Sequence, residues 1–297
     1  MSRTRIWAAS GAVLAATAVA VLAATAIVAP RAHAAASAPG QLYYINGTEI
    51  MRVPVTGGAA QRVANAGSDS VTGMTIADGR LFWVNEVSSN EAIRYVTVSN
   101  PAQVHTLITG LDFPAGLVAA GGWLYYVDQN AIGRVRFNGT GLSRRFIKLP
   151  QENGGGVAQG LATDGSHLYV SRCQNGEIGR VALSGASLDL GFIKLPKNAC
   201  PQQLAVGNTH IYWTELGGHV GRAMLTGQGA SDTWLNIRET QGPFNVAADN
   251  AGVFWDWGGA AGAPMYVGTA SVSGTSVRTR FLTGQGAFLL TAPGSSS

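Results

Sequence analysis

Cysteine, histidine and charge are all scarce in this chain: two cysteines and five histidines in 297 residues, with Asp, Glu, Lys and Arg making up only 12%. Cys173 and Cys200 have no further cysteine and no histidine beside them, which excludes the Cys/His sets of structural zinc sites. No G-x-S-x-G elbow, H-E-x-x-H helix, P-loop or dinucleotide fingerprint occurs, so the enzyme classes that depend on those motifs are excluded as well. Helical periodicity is missing after residue 34, and only residues 6–29 form a long apolar run.

That run has the features of an export signal. Arg3 and Arg5 supply the positive start, and Ala32-His33-Ala34 places small residues where a signal peptidase reads them. Residues 1–34 are therefore expected to be a signal peptide. The alternative is a retained N-terminal membrane anchor, since about 20 apolar residues also span a bilayer. Removing 1–34 takes away Arg3, Arg5 and Arg31 and no acid, leaving 17 basic and 16 acidic residues and lowering the formal charge from +4 to +1. The basic character of the precursor thus belongs mostly to the signal, and no block of charge argues for nucleic acid. A secreted location is expected, with no membrane contact after cleavage, and a monomer.

What the sequence does have is a repeat. Aromatic anchors Tyr43, Phe82, Tyr125, Tyr169, Tyr212 and Phe254 recur at spacings of 39, 43, 44, 43 and 42 residues. Periods of about 40 to 45 residues built from short strands mark propeller blades. Each unit begins with a small apolar run, such as Met74-Thr75-Ile76-Ala77 or Gln203-Leu204-Ala205-Val206, as an innermost strand near the axis requires. Turns such as Asp78-Gly79 and Asp164-Gly165 follow. A second strand then carries the aromatics, a third centres on Arg52, Arg94, Arg134, Arg180 or Arg222, and a fourth lies outermost, as in Phe146-Ile147-Lys148-Leu149. No inner strand precedes Tyr43, yet Gly286-Ala287-Phe288-Leu289-Leu290-Thr291-Ala292 follows the sixth unit with inner-strand composition. The expected fold is all-β: a six-bladed β-propeller of four-stranded blades over 41–293, closed by a C-terminal strand completing the first blade. Residues 35–40 read as a short linker and 294–297 as a disordered tail.

Tyr212-Trp213-Thr214-Glu215 with His219-Val220-Gly221-Arg222 and its trailing Thr226-Gly227 resembles the Tyr-Trp-Thr-Asp repeat, the class B repeat of low-density-lipoprotein receptors. Tyr125-Tyr126-Val127-Asp128 with Arg134 is a looser match. The resemblance covers nearly all the chain after residue 34 and implies six blades. It also implies that the acidic residue ties neighbouring blades by hydrogen bonds. The pattern breaks at Arg172 in unit four, at Phe254-Trp255-Asp256 in unit six, and at Asn46 and Asn85 in units one and two. Streptogramin lyases and lactone- or sugar-acting hydrolases share such six-bladed folds, so fold does not choose function.

The residues expected to close each second strand are Asn46, Asn85, Asp128, Arg172, Glu215 and Asp256. Together they would ring one mouth of the channel, joined by Thr72, Gln159, Gln202 and Asn245. Such a ring suits a polar ligand or a divalent cation such as calcium; equally, the repeat itself requires polar residues there. His219 lies near Glu215 as a candidate base. His167 and His210 occupy equivalent repeat positions and read as structural. Trp123 and Trp257 are candidates for an exposed aromatic patch. Cys173 and Cys200 emerge on one face and are expected to form a disulfide. Asn46-Gly47-Thr48 and Asn138-Gly139-Thr140 match glycosylation sequons, but in an Ala- and Gly-rich chain of bacterial character both are read as turns. Two functions remain: a binding module for an extracellular protein, peptide or glycan, and an extracellular propeller lyase or hydrolase. The thin supply of acid/base groups favours the first.

Overall fold

The computed structural model describes residues 40–67, 71–85, 91–152, 158–215, 217–237, 242–250, 252–258, 265–284 and 287–291. The expected signal peptide and tail lie outside them. No helix among the described residues is long and apolar enough to cross a membrane.

The strands form six four-stranded antiparallel sheets. Blade 2 is β4 (Val71–Ala77), β5 (Arg80–Asn85), β6 (Ala92–Thr97) and β7 (Asn100–Thr109). Blade 3 is β8 (Pro114–Ala120), β9 (Trp123–Asp128), β10 (Ala131–Arg136) and β11 (Ser143–Lys148). Blade 4 is β12 (Leu161–Thr163), β13 (His167–Arg172), β14 (Glu177–Ala182) and β15 (Asp189–Lys194). Blade 5 is β16 (Pro201–Val206), β17 (His210–Glu215), β18 (His219–Met224) and β19 (Ser231–Asn236), and blade 6 is β20 (Val246–Ala248), β21 (Val253–Gly258), β22 (Met265–Ala270) and β23 (Arg278–Gly284). Blade 1 has β1 (Gln41–Asn46), β2 (Glu49–Pro54) and β3 (Gln61–Asn65), and takes its inner strand from β24 (Ala287–Thr291). Tyr43 pairs with Thr291 and Tyr44 with Leu290, so the ring closes as expected and leaves no inner edge open.

The repeat is a set of cross-strand pairs. The anchor aromatic opposes the arginine in Tyr43–Arg52, Tyr125–Arg134, Tyr169–Arg180 and Tyr212–Arg222. Each arginine of blades 3, 4 and 5 then covers an outer-strand ring: Arg134 Cζ is 3.7 Å from the Phe146 centroid, Arg180 3.9 Å from Phe192, and Arg222 4.6 Å from Trp234. The next residue is an aromatic opposite glycine, in Tyr126–Gly133, Trp213–Gly221 and Trp255–Gly268. A Cβ on Gly221 or Gly268 would stand 2.2 or 2.3 Å from the tryptophan ring, which explains the glycine at this position of both strands.

Blade 2 departs from this register. Phe82 opposes Tyr95, and Trp83 opposes Arg94, so Arg94 does not occupy the place of the other arginines; it lies on the other face of its sheet. Arg80 covers Tyr95 instead, 5.3 Å from its centroid.

Aromatic and branched side chains fill the gaps between blades. Tyr43, Ile45 and Ile50 of blade 1 pack with Leu81, Trp83 and Val96 of blade 2, and Tyr212, Val220 and Leu235 of blade 5 pack with Val253 and Trp255 of blade 6. Near the axis, inner strands touch backbone to backbone. A Cβ on Gly73 would stand 2.7 Å from the backbone of Gly116 and Leu117, so only glycine fits that crossing.

Candidate functional site

The end of each second strand and the start of its inner strand lie together, since Asn85 opposes Val71, Asp128 opposes Pro114 and Glu215 opposes Pro201. The connections arriving from preceding blades reach the same face. Counting from the anchor aromatic, Asn46, Asn85, Asp128, Arg172 and Glu215 share one register position. Asp256 falls one residue earlier, because β21 continues to Gly258 and Trp257 takes the shared position. Asp256 therefore does not close its strand.

Most of these side chains serve their own blade. Glu215 accepts hydrogen bonds from Trp213 Nε1 (2.9 Å) at Oε1 and from Cys200 N (2.7 Å) at Oε2. Burial pushes its carboxyl up to about 7. Asn85 Oδ1 accepts from Trp83 Nε1 (2.9 Å) and Arg94 Nη1 (2.7 Å), which is why Arg94 turned to this face. Asp128 Oδ1 accepts from Asp112 N (2.8 Å), and burial raises its carboxyl. Asp128 and Glu215 thus fix the connections that arrive from the preceding blades, the role the resemblance implies for the acid. Arg172 donates to Glu177 Oε2 at 2.8 Å, and Asn46 opposes Glu49.

Asp256 is fully buried, accepting from Asn245 N (2.7 Å) and Nδ2 (2.8 Å). Burial pushes its carboxyl up to about 8. It belongs to a polar series that the sequence reading missed. Ser171 accepts from Gly160 N (2.7 Å) and donates to Gln202 O of the next blade (2.5 Å). Thr214 accepts from Gln203 N (3.1 Å) and donates to Phe244 O (3.1 Å). The signal was available: polar Ser171, Thr214 and Asp256 stand where other units have Ile45, Val84 and Val127. Of the expected inner-strand residues, Thr72 likewise crosses blades, donating to Pro114 O at 2.6 Å.

The disulfide joins Cys173 to Cys200, clamping the hairpin of blade 4 to the connection that leads into blade 5. Beside it Glu152 Oε2 accepts from Gln174 N (2.8 Å), while its Oε1 is buried without a partner. His219 opposes Glu215, but its Nδ1 is buried without a partner and both Glu215 oxygens are taken, so the two do not form an acid/base pair. Among the described residues no group of three or more His, Cys, Asp or Glu is placed to hold a metal ion. The ring residues do not fit a divalent cation: Glu215 and Asp256 direct both oxygens to N–H donors in separate blades.

The two tryptophans do not form the expected exposed aromatic patch. Trp257 is buried, stacked on Tyr266 at 4.4 Å, and Trp123 is held between Arg134 and Arg136, each 4.3 Å from its ring. The exposed rings on this face are Phe113 (61% exposed), directly before β8, and Phe244 (39%), two residues before β20. Phe113 has a left-handed backbone, φ 49°. It is held there because Asp112 N and Pro114 O on either side are pinned by Asp128 and Thr72.

Neither a protein-family model nor a curated protein matches the chain. Among solved structures, a chain of the nidogen/laminin complex aligns with a TM-score of 0.70 at 15% identity, over 87% of this chain and 100% of that one. Virginiamycin B lyase from Staphylococcus aureus aligns with a TM-score of 0.57 at 20% identity, over 82% of this chain and 80% of the lyase. A gluconolactonase from Xanthomonas campestris gives 0.55 at 19% identity, over 72% and 76%. At these identities the likeness is one of fold, and the chain is a six-bladed β-propeller resembling the Tyr-Trp-Thr-Asp type.

Proposed function

We propose that this propeller is a secreted binding module that takes an extracellular protein, peptide or glycan on its mouth face. The observation that carries the reading is the pair Phe113 and Phe244. They stand before the inner strands of blades 3 and 6, which are opposite one another in a six-bladed ring, and both rings face solvent. In Phe113 the exposed aromatic also stands on a pinned, left-handed backbone, a costly arrangement that suits a contact residue. The polar groups around them are committed to hydrogen bonds within the fold, so they give a rigid rim rather than a set of acids and bases. The protein-binding context of one structural neighbour agrees with this reading, as does the disulfide with an oxidising, extracellular setting.

The test is a glycan and peptide array probed with the purified protein and with Phe113→Ser and Phe244→Ser. Specific binders that lose at least about tenfold in affinity with either variant support the reading. Binders unaffected by both substitutions refute it. Turnover of an aldonolactone or a streptogramin by the wild-type protein, abolished by Glu152→Gln or Asp128→Asn, would replace it with the lyase or hydrolase reading.

A further inference from the structure

We infer a second binding surface, for a linear acidic polysaccharide, on the outer hairpin of blade 3. From residue 129 to residue 151 the sequence contains Arg134, Arg136, Arg144, Arg145 and Lys148 and no acid. Residues 35–297 carry 17 basic and 16 acidic groups, so this hairpin holds a charge of +5 while the remainder, with 12 basic groups, holds −4. The near-neutral total hides a segregated field. All five cations belong to β10 and β11, the two outer strands of one blade.

The cations line both sides of the blade's outer edge. Arg136 opposes Trp123 at one end of the hairpin, and Lys148 opposes Ala131 at the mouth end, five residues along β10 and so on the other face of the sheet. Five residues of strand separate the two levels, about 17 Å at roughly 3.3 Å per residue. Arg136, Arg145 and Lys148 are exposed and make no ion pair among the described residues. Arg144 stands 4.0 Å from Asp128 and Arg145 also acts on that carboxylate, but exposed pairs at such separations neutralise little in water.

The guanidinium groups are also preorganised. Trp123 is clasped between Arg134 and Arg136, and Arg144 donates to the carbonyls of Thr109 and Gly110 at 2.7 Å each. Fixed cations lose less rotamer entropy when an anion binds. The same clasp decides between polyanions. Both faces of the Trp123 ring are covered, and Phe146 lies under Arg134, so the stripe offers no free aromatic face on which a base can stack. It recognises spaced sulfate or carboxylate groups by charge alone.

The experiment measures binding of the full chain to heparin, with single-stranded DNA of equal charge as the competing polyanion, across a series of salt concentrations. The triple variant Arg136→Gln/Arg145→Gln/Lys148→Gln is compared with the wild type. Arg145→Gln/Lys148→Gln, which leaves the Trp123 clasp intact, guards against a folding defect. The expected result is heparin binding at low salt that weakens about tenfold or more in the triple variant. Its salt slope falls by roughly one unit per cation removed. The double variant should be intermediate. No heparin binding at low salt, equal affinity in wild type and variants, or tighter binding of the DNA than of heparin would each overturn the inference. None of these outcomes bears on Phe113 or Phe244, so the mouth-face reading stands or falls separately.

Discussion

Replacing Asp256 by Asn should convert a pH-dependent propeller into one whose stability changes far less between weak acid and weak base. Asp256 is fully buried at the blade 6 position where Ser171 and Thr214 cross to the next blade, and burial raises its carboxyl from 3.8 to about 8. The native fold therefore keeps a proton that the unfolded chain releases. That stabilisation is complete below about pH 4 and is lost as pH rises through about 8. The interval is roughly four pH units, worth about 1.4 kcal/mol each, so the swing is at most 5 to 6 kcal/mol, roughly. Asparagine is nearly the same shape. Its carbonyl accepts from Asn245 N, and a turned-over Asn245 amide accepts from its new amide. Glu215 contributes in the same direction up to about pH 7, but it is present in both proteins and cancels in the difference. Urea unfolding of wild type and Asp256→Asn at intervals from about pH 4 to pH 9 reads the effect. Wild-type stability should fall relative to the variant by as much as 1.4 kcal/mol per pH unit, approximately. A difference independent of pH, or one of opposite slope, would refute the buried-proton account.

Three further outcomes follow from the geometry. Cys173→Ala/Cys200→Ala opens a loop of sequence separation 27 and should cost about 3.5 kcal/mol by chain entropy, read from the urea midpoint; an unchanged midpoint excludes a stabilising bridge. Truncation after residue 286 removes β24 and with it the inner strand of blade 1, and should lower the melting temperature far more than loss of an exposed tail; intact-like melting would sink the closure. Trp213→Phe should destabilise more than Trp255→Phe, by about 1 to 2 kcal/mol, because Trp213 Nε1 donates to Glu215 whereas Trp255 Nε1 is buried without a partner. Equal losses in the two variants would show that the Glu215 contact contributes nothing.

The blades were legible because each strand signal is local and repeats, and because a missing first inner strand and a surplus last one point to each other. Register was less so. Arg94-Tyr95 offers either residue as the partner of Phe82, and the choice falls to contacts made elsewhere: Tyr95 packs tilted against Phe82 at a centroid distance of 5.4 Å, and Asn85 takes the Arg94 guanidinium. Phe254-Trp255-Asp256-Trp257 poses the same problem, since Asp256 matches the family's acid by type and Trp257 by position. Exposure was least legible. Trp123 is covered by arginines on the neighbouring strand, and Phe113 is exposed because hydrogen bonds to Asp112 and Pro114 set its backbone, neither of which a linear pattern encodes.

The two proposed surfaces differ in the force that would operate them, and salt separates them. The basic hairpin acts through exposed charges, whose reach shrinks as the screening length falls from about 10 Å at 0.1 M salt to about 3 Å at 1 M. Phe113 and Phe244 act by burying apolar area, about 25 cal/mol for each Å², a contribution that salt does not screen. Lys148 stands at the mouth end of its hairpin, on the outer strand of the blade whose inner strand follows Phe113. A ligand that carried both an aromatic or apolar group and an acidic chain would reach both, and its affinity would fall with salt to a floor set by the phenylalanines. A ligand of the mouth alone would show no such fall. A salt series on wild type, Phe113→Ser and Lys148→Gln therefore distinguishes one extended surface from two independent ones. In the extended case, the serine variant loses the floor and the glutamine variant loses part of the slope.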